Sequence, residues 1–389
     1  MSRIEEGKGY IDGFGKEVAK GIRVQGKKMG LFNQAYKKLM LLAESLQRVK
    51  PLWNSVSVEV LADLIFDWVM SRYQKNTDLT MIEYVLAECE REIKEIEIWV
   101  PISNLLIESE FTIGKVSFKT VTKPLLDAYL PRDEEKIRKD LQGYAAASMK
   151  LTAEPKRAHQ IVFEEAEKAL LLLLFFSPVN FEPTRISHCT FLGKSHLETI
   201  NYLIVQNQAI IDYSWSIADM SSPVWQLDTS YISDLKEWGL DKLGELFAKE
   251  DRTDLQEELL GSVFQYSKNC LTKDAADKLV HILVGLESIV LKDSNEPIMN
   301  NIGERMAALI GQDPASRKAI IANVKKTYAL RSSFVHHGQT ISIADMDTIK
   351  EFMHKAWSCL HSLVLLAHQN ATMTKAQFFD WIEERRLSY

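Results

Sequence analysis

The chain has 389 residues, 46% of them apolar, a formal net charge of -6 and a pI near 5.9. That length suits two or three domains with apolar content enough for sizeable cores. The acidic balance excludes the broad basic surface of a sequence-blind nucleic-acid coat and leaves room only for a small basic pocket. The four cysteines, Cys89, Cys189, Cys270 and Cys359, have no paired spacing, which argues against a zinc site or redox motif and for a reduced, cytoplasmic chain. The N-terminus shows no charged region followed by an apolar core, and the longest apolar run, Ala169 to Phe176, is far short of the roughly 20 residues that span a bilayer. Neither secretion nor membrane insertion is expected.

Residues 1–30 hold seven of the 17 glycines among Lys8, Lys16, Lys20, Arg23, Lys27 and Lys28, the pattern of a flexible basic arm. Gly7-Lys-Gly9 lacks the second glycine, the Lys-Ser/Thr pair and the preceding strand of a phosphate loop. Helical periodicity starts near Asn33 with Tyr36, Leu39, Met40, Ala43 and Leu46 and stops at Pro51. Further helices are expected over Val58–Tyr73 and from about Thr80 to Ile96, the latter with a charged face of Glu88, Glu90, Arg91, Glu92 and Lys94. Phe111 and Ile113, then Gly114-Lys115, then Val116 and Phe118 form the alternating pattern of a β-hairpin with glycine first in its two-residue loop. A helix from Arg157 to Phe176 ends at Ser177-Pro178. Ile186–Leu192 and Ala209–Trp215 favour strands by their β-branched and aromatic content.

From about Lys236 the pattern is helical throughout, over Leu240–Ala248, Asp254–Leu271, Asp274–Leu291, Met299–Ile310, Ser316–Val335 and Ile343–Asn370. The expected architecture is therefore mainly α, an α+β chain. After the arm of residues 1–30 come an α+β sensing or regulatory region over 31–235 and a helical domain over 236–389.

The stretch Arg331-Ser-Ser-Phe-Val-His-His-Gly338 carries the chemistry. Arginine offers a permanently charged fork that matches a phosphate, and histidine moves protons near neutral pH. An arginine followed by a histidine at this spacing arises roughly once by chance in such a composition, so its surroundings have to give it meaning. Arg331 falls on the stripe of Ile320, Val324, Tyr328 and Val335 by the three- and four-residue rule. An arginine on an inward face needs a carboxylate, backbone carbonyls or a bound phosphate, and Glu287, set between Val280, Leu283 and Val290, is the internal candidate. His336 and His337 precede Gly338, a natural helix terminator; taken by themselves they read first as a charge pair favourable to the helix dipole. His354, His361 and His368 recur every seven residues, about 10 Å apart along a helix and too far apart for one ion. His281 suits a packed position, and no acidic cluster has the spacing of a metal site.

The segments Leu279-Val-His-Ile-Leu-Val-Gly-Leu-Glu-Ser-Ile-Val-Leu291, Ile302-Gly-Glu-Arg-Met-Ala-Ala-Leu309 and Thr327-Tyr-Ala-Leu-Arg-Ser-Ser-Phe-Val-His-His-Gly338 together resemble the Apea-like HEPN domain over roughly residues 250–370. The resemblance implies a helical bundle that pairs into a homodimer and a metal-independent ribonuclease needing no cofactor. Arg331 would hold the scissile phosphate, and His336 would serve as general base or acid. The family's usual glycine after the motif histidine favours His337 instead. Tyr328, Ser332 and Glu287 are the expected supporting residues. The resemblance also implies RNA as substrate, an antiviral or toxin-like role, and an antitoxin or phage-derived trigger as partner. Members that have lost catalysis, and serve as dimerisation or nucleotide-binding modules, define the alternative.

Overall fold

The computed structural model describes residues 21–24, 27–30, 34–50, 52–129, 135–194, 199–206, 209–217, 224–293 and 295–387. The architecture is mainly α with a smaller β component, an α+β chain with fourteen α-helices among the described residues. Contacts group it into two compact units, residues 1–98 with 150–164, and residues 99–149 with 165–389.

Of the expected arm, residues 1–20 lie outside the described residues, and β1 (Gly21–Val24) pairs antiparallel with β2 (Lys27–Gly30). Three helices follow, α1 (Gln34–Gln47), α2 (Val58–Tyr73) and α3 (Met81–Glu92). Ser57 caps α2 by accepting the Val60 N–H, and Thr80 forms a capping box with Glu83 at the start of α3, so each helix begins where a side-chain oxygen meets its unpaired donors. Leu39 and Ala43 from α1, Leu61, Ile65 and Phe66 from α2, and Val85 and Cys89 from α3 make the core of this unit.

Helix α3 stops at Glu92, and the chain continues as β3 (Lys94–Ser103) instead of staying helical to Ile96. Ile96, Ile98, Val100 and Ile102 alternate with period two, and this β-branched run prevails over the charge pattern of the helix before it. Next come β4 (Leu105–Ile107), β5 (Phe111–Ile113), β6 (Val116–Thr120), α4 (Lys123–Tyr129), α5 (Glu135–Leu141) and β7 (Ala145–Ala153). The hairpin is as expected: Phe111 faces Phe118 and Ile113 faces Val116 across β5 and β6. Gly114 opens its turn at φ 61, a conformation costly for any residue with a Cβ.

Helix α6 (Pro155–Leu174) starts against Glu154, whose buried carboxylate accepts the N–H groups of Ser57, Lys156 and Arg157 at 3.3, 2.6 and 3.0 Å. The strand expected over Ile186–Leu192 shortens to β8 (Thr190–Phe191), the last strand of a sheet ordered β5-β6-β7-β3-β8. β9 (Thr199–Gln206) and β10 (Ala209–Ile217) form a separate antiparallel pair, and β11 (Trp225–Leu227) runs parallel to β4.

The rest of the described chain is helical: α7 (Thr229–Glu237), α8 (Leu240–Ala248), α9 (Asp254–Ser267), α10 (Ala275–Val290), α11 (Ile298–Ile310), α12 (Pro314–His337), α13 (Met346–Gln369) and α14 (Lys375–Leu387). Leu279, Ile282, Leu283, Leu286 and Ile289 of α10 are buried, as are Phe352, Met353, Ala356, Cys359 and Leu360 of α13. Helix α10 lies close against α9 at Gly285, where a Cβ would stand 2.9 Å from the Ser262 carbonyl oxygen and 3.2 Å from the Tyr266 nitrogen. The Tyr266 hydroxyl donates to the Met353 carbonyl at 3.2 Å, tying α9 to α13. Among the described residues no helix is long and apolar enough to cross a membrane.

Candidate functional site

Helix α12 is fixed at both ends by its own sequence. Asp313 accepts the N–H groups of Ala315 and Ser316 at 2.7 and 3.0 Å, Ser316 Oγ accepts the Asp313 N–H at 3.1 Å, and Pro314 fills the first helical position, where its missing donor costs nothing. At the other end Gly338 adopts φ 62 and donates its N–H to the Phe334 carbonyl at 3.0 Å. The helix therefore runs through His336 and His337, two residues past Val335, because the chain first meets a residue free to turn left-handed at position 338.

Along the inner stripe of α12, Ile320, Asn323, Val324 and Thr327 are buried. One turn further Arg331 is half-buried, and its Nε is fully enclosed with no hydrogen-bond partner in the chain. Asn323 Oδ1 and Thr327 Oγ1 are enclosed and unpartnered in the same way, so three such polar atoms recur at four-residue steps. Asn323 Nδ2 donates to the Thr348 carbonyl at 3.0 Å, which places this edge of the stripe against α13. Buried polar groups are hydrogen-bonded in the great majority of cases, and a run of exceptions converging on an arginine marks α12 as unusual.

The other edge of the stripe faces α10. There the Tyr328 hydroxyl donates to Glu287 Oε1 at 2.8 Å. Burial first, then the charge and the acceptor bond of Glu287, push the Tyr328 phenol far above the ordinary tyrosine range, while Arg331 nearby acts in the opposite sense. The expected pairing of Arg331 with Glu287 is not what forms. Glu287 sits half-buried on the flank of α10, with Leu283 and Leu286 turned to the core, and among the described residues no ion pair joins it to Arg331. The phenol one turn before the arginine holds the carboxylate instead.

Arg305 of α11 shows what a structural arginine looks like in the same fold. It is 3% exposed, forks onto Glu296 at 2.6 and 2.8 Å, reaches Glu383 at 3.2 Å and the Val290 carbonyl at 2.9 Å, and lies over the Phe379 ring at 4.8 Å. Every face of its guanidinium is answered. That of Arg331 is not.

Ser332, His336 and His337 are exposed. On a continuous helix His336 lies about 140° around the axis from Arg331 and about 7.5 Å along it, and His337 about 120° in the other sense and about 9 Å along. One copy of α12 thus carries the arginine and both imidazoles within its last two turns but presents them on different faces. Val335, which does share the arginine's face, is 45% exposed, and Val284, one turn before Glu287 on α10, is 40% exposed.

His354, His361, His368 and His281 have partners of their own. His354 stacks on Phe181 with ring centroids 4.3 Å apart, His361 donates Nε2–H to the Trp238 carbonyl, and His368 Nδ1 lies 3.5 Å from Glu245. His281 Nδ1 is 3.0 Å from Gln265 Nε2, and burial, followed by Lys268, lowers its pKa. All four cysteines are buried and unpaired. The fold and these contacts define the chain as a mainly α protein with a polar seam ending at Arg331. Comparison with protein-family models, curated proteins and solved structures gives no match.

Proposed function

We propose that this chain is a metal-independent endoribonuclease of the HEPN type, working as a homodimer whose cleaving site is completed between two copies of α12. The observation that carries the reading is the unanswered guanidinium of Arg331, with an enclosed and unpartnered Nε, two turns before a helix end that bears two exposed imidazoles. The sequence resemblance over residues 250–370 supports it. Arg331 would neutralise the scissile phosphate, and His336 or His337 would take the proton of the attacking ribose 2′-hydroxyl. The P–O5′ bond breaks as the new P–O2′ bond forms, a second imidazole protonates the leaving 5′-oxygen, and a 2′,3′-cyclic phosphate remains. Because the histidines of one copy lie off the face of its own arginine, imidazoles from the second copy would complete the geometry. The role that follows is restriction of host or invader RNA in the cytoplasm, as antiviral defence or as a toxin, held in check by an antitoxin or released by a phage-derived trigger. Ser332, exposed beside the arginine, and Tyr328 with Glu287 are the supporting residues.

The test is RNA cleavage in EDTA. Wild type should leave cyclic phosphate ends, Arg331→Ala should abolish them, and His336→Ala beside His337→Ala should identify the working imidazole. Equal behaviour of wild type and all three variants, under activating conditions too, refutes the nuclease reading. A non-catalytic pairing or nucleotide-binding module is the second reading, favoured by the exposed apolar side chains Val284 and Val335 beside histidines that share no face with Arg331.

A further inference from the structure

Arg331 and Glu287 are opposite charges on neighbouring helices, yet they are not paired. Tyr328 stands one turn before Arg331, close enough for the two side chains to act on each other electrostatically, and its hydroxyl bonds the carboxylate at 2.8 Å. A guanidinium and a carboxylate left together in a half-buried place, with nothing else holding the carboxylate, would form a charge-assisted fork. Once paired, that arginine would have lost its charge and donors to the protein itself, as Arg305 has to Glu296 and Glu383.

We propose that Tyr328 is a positioning residue: its hydroxyl occupies the Glu287 carboxylate, keeps it off Arg331, and so leaves the guanidinium open to a phosphate of the bound RNA. The inference rests on the nuclease reading for its ligand and on the side-chain geometry for everything else. Tyr328 suits the task because burial beside an anion keeps its phenol protonated, so it remains a donor wherever RNA is stable. Without the hydroxyl, Glu287 loses that bond, and Arg331, one turn along α12 from Tyr328, has a donor with no partner, its Nε, to take up the carboxylate. The same carboxylate that supports the site in wild type then becomes its inhibitor.

The experiment measures how fast phenylglyoxal modifies Arg331, by peptide mass spectrometry on the full-length protein, in wild type, Tyr328→Phe, Glu287→Gln and the double variant. Arg331 should react about tenfold more slowly in Tyr328→Phe, the equivalent of one modest ion pair, and should return to within about threefold of wild type in the double variant. Glu287→Gln alone should not slow it. An unchanged rate in Tyr328→Phe, or a double variant as slow as the single, overturns the proposal. Should Tyr328→Phe melt early, Tyr328→Met replaces it with the same expected and refuting outcomes.

Cleavage of RNA in EDTA, run on the same four proteins and on Arg331→Ala, separates the two ideas. Cleavage should fall in Tyr328→Phe together with Arg331 reactivity. If the reactivities behave as stated and no protein cleaves RNA, the nuclease reading falls and the positioning role stands. If Arg331→Ala abolishes cleavage while Tyr328→Phe leaves Arg331 as reactive as before, the reverse holds.

Discussion

Replacing Lys278 with methionine should remove a rise in stability at alkaline pH. Lys278 is fully buried at the start of α10, and its Nζ donates to the Asn269 carbonyl at 2.7 Å. Burial brings its pKa down from the ordinary 10.5 to about 8, with Cys270 and Glu182 acting the other way. Between those two values the folded lysine has released its proton and the unfolded one has kept it. The unfolded state then binds more protons, and stability rises with pH. The gap between 10.5 and about 8, at about 1.4 kcal/mol per pH unit, makes the full rise about 3 kcal/mol. At pH 7 methionine avoids burying that charge but leaves the Asn269 carbonyl without its donor, at a cost of about 1–3 kcal/mol, so the two proteins should be similar there. Wild type should then gain about 3 kcal/mol over Lys278→Met by pH 10.5. Buried thiols such as Cys270, pushed up to about 12 by burial, drive stability down over the same range, but they are present in both proteins and cancel in the difference. Urea unfolding followed by tryptophan fluorescence at steps from pH 7 to 10.5 measures it. Parallel pH profiles for the two proteins would show that the lysine is not held in a desolvated state and would refute the reasoning.

Gly285→Ala should destabilise the fold by about 1–3 kcal/mol, since overpacking outweighs the roughly 1 kcal/mol gained in helix propensity; a melting temperature equal to or above wild type would contradict the close approach of α9 and α10. Arg305→Met should cost about 2–4 kcal/mol in urea unfolding, because Glu296 and the Val290 carbonyl lose their donors together. A loss below about 1 kcal/mol would place that network among weak surface pairs.

Where one sequence signal acts alone, the fold is legible. Helices α2 and α8 have the limits their periodicity set, and the Gly114-Lys115 turn joins the two strands that flank it. Elements decided by distant partners are not. β7 is written largely in alanine, a residue with no strand preference, and forms because Ala145–Ser148 finds β6 to pair with. β3 was hidden behind the charged end of α3. The candidate site divides in the same way. That Arg331 lies on the inner stripe of its helix follows from spacing, as does a helix end at Gly338. That Glu287 bonds Tyr328 and not Arg331 depends on how α10 and α12 pack side by side, which no linear pattern contains.

Gly285 and Glu287 are two residues apart on α10 and so lie about 200° apart around its axis. The glycine rests on α9, and the carboxylate looks out at Tyr328. The missing Cβ at 285 therefore sets how far α10 stands off from α9 and, through the rigid helix, how close the carboxylate comes to α12. A methyl group at that position would act as a shim, carrying Glu287 outward against the tyrosine and the arginine behind it. The spacing between the Glu287 carboxylate and the α12 side chains that face it is thus gauged from inside the core, by a residue that touches neither.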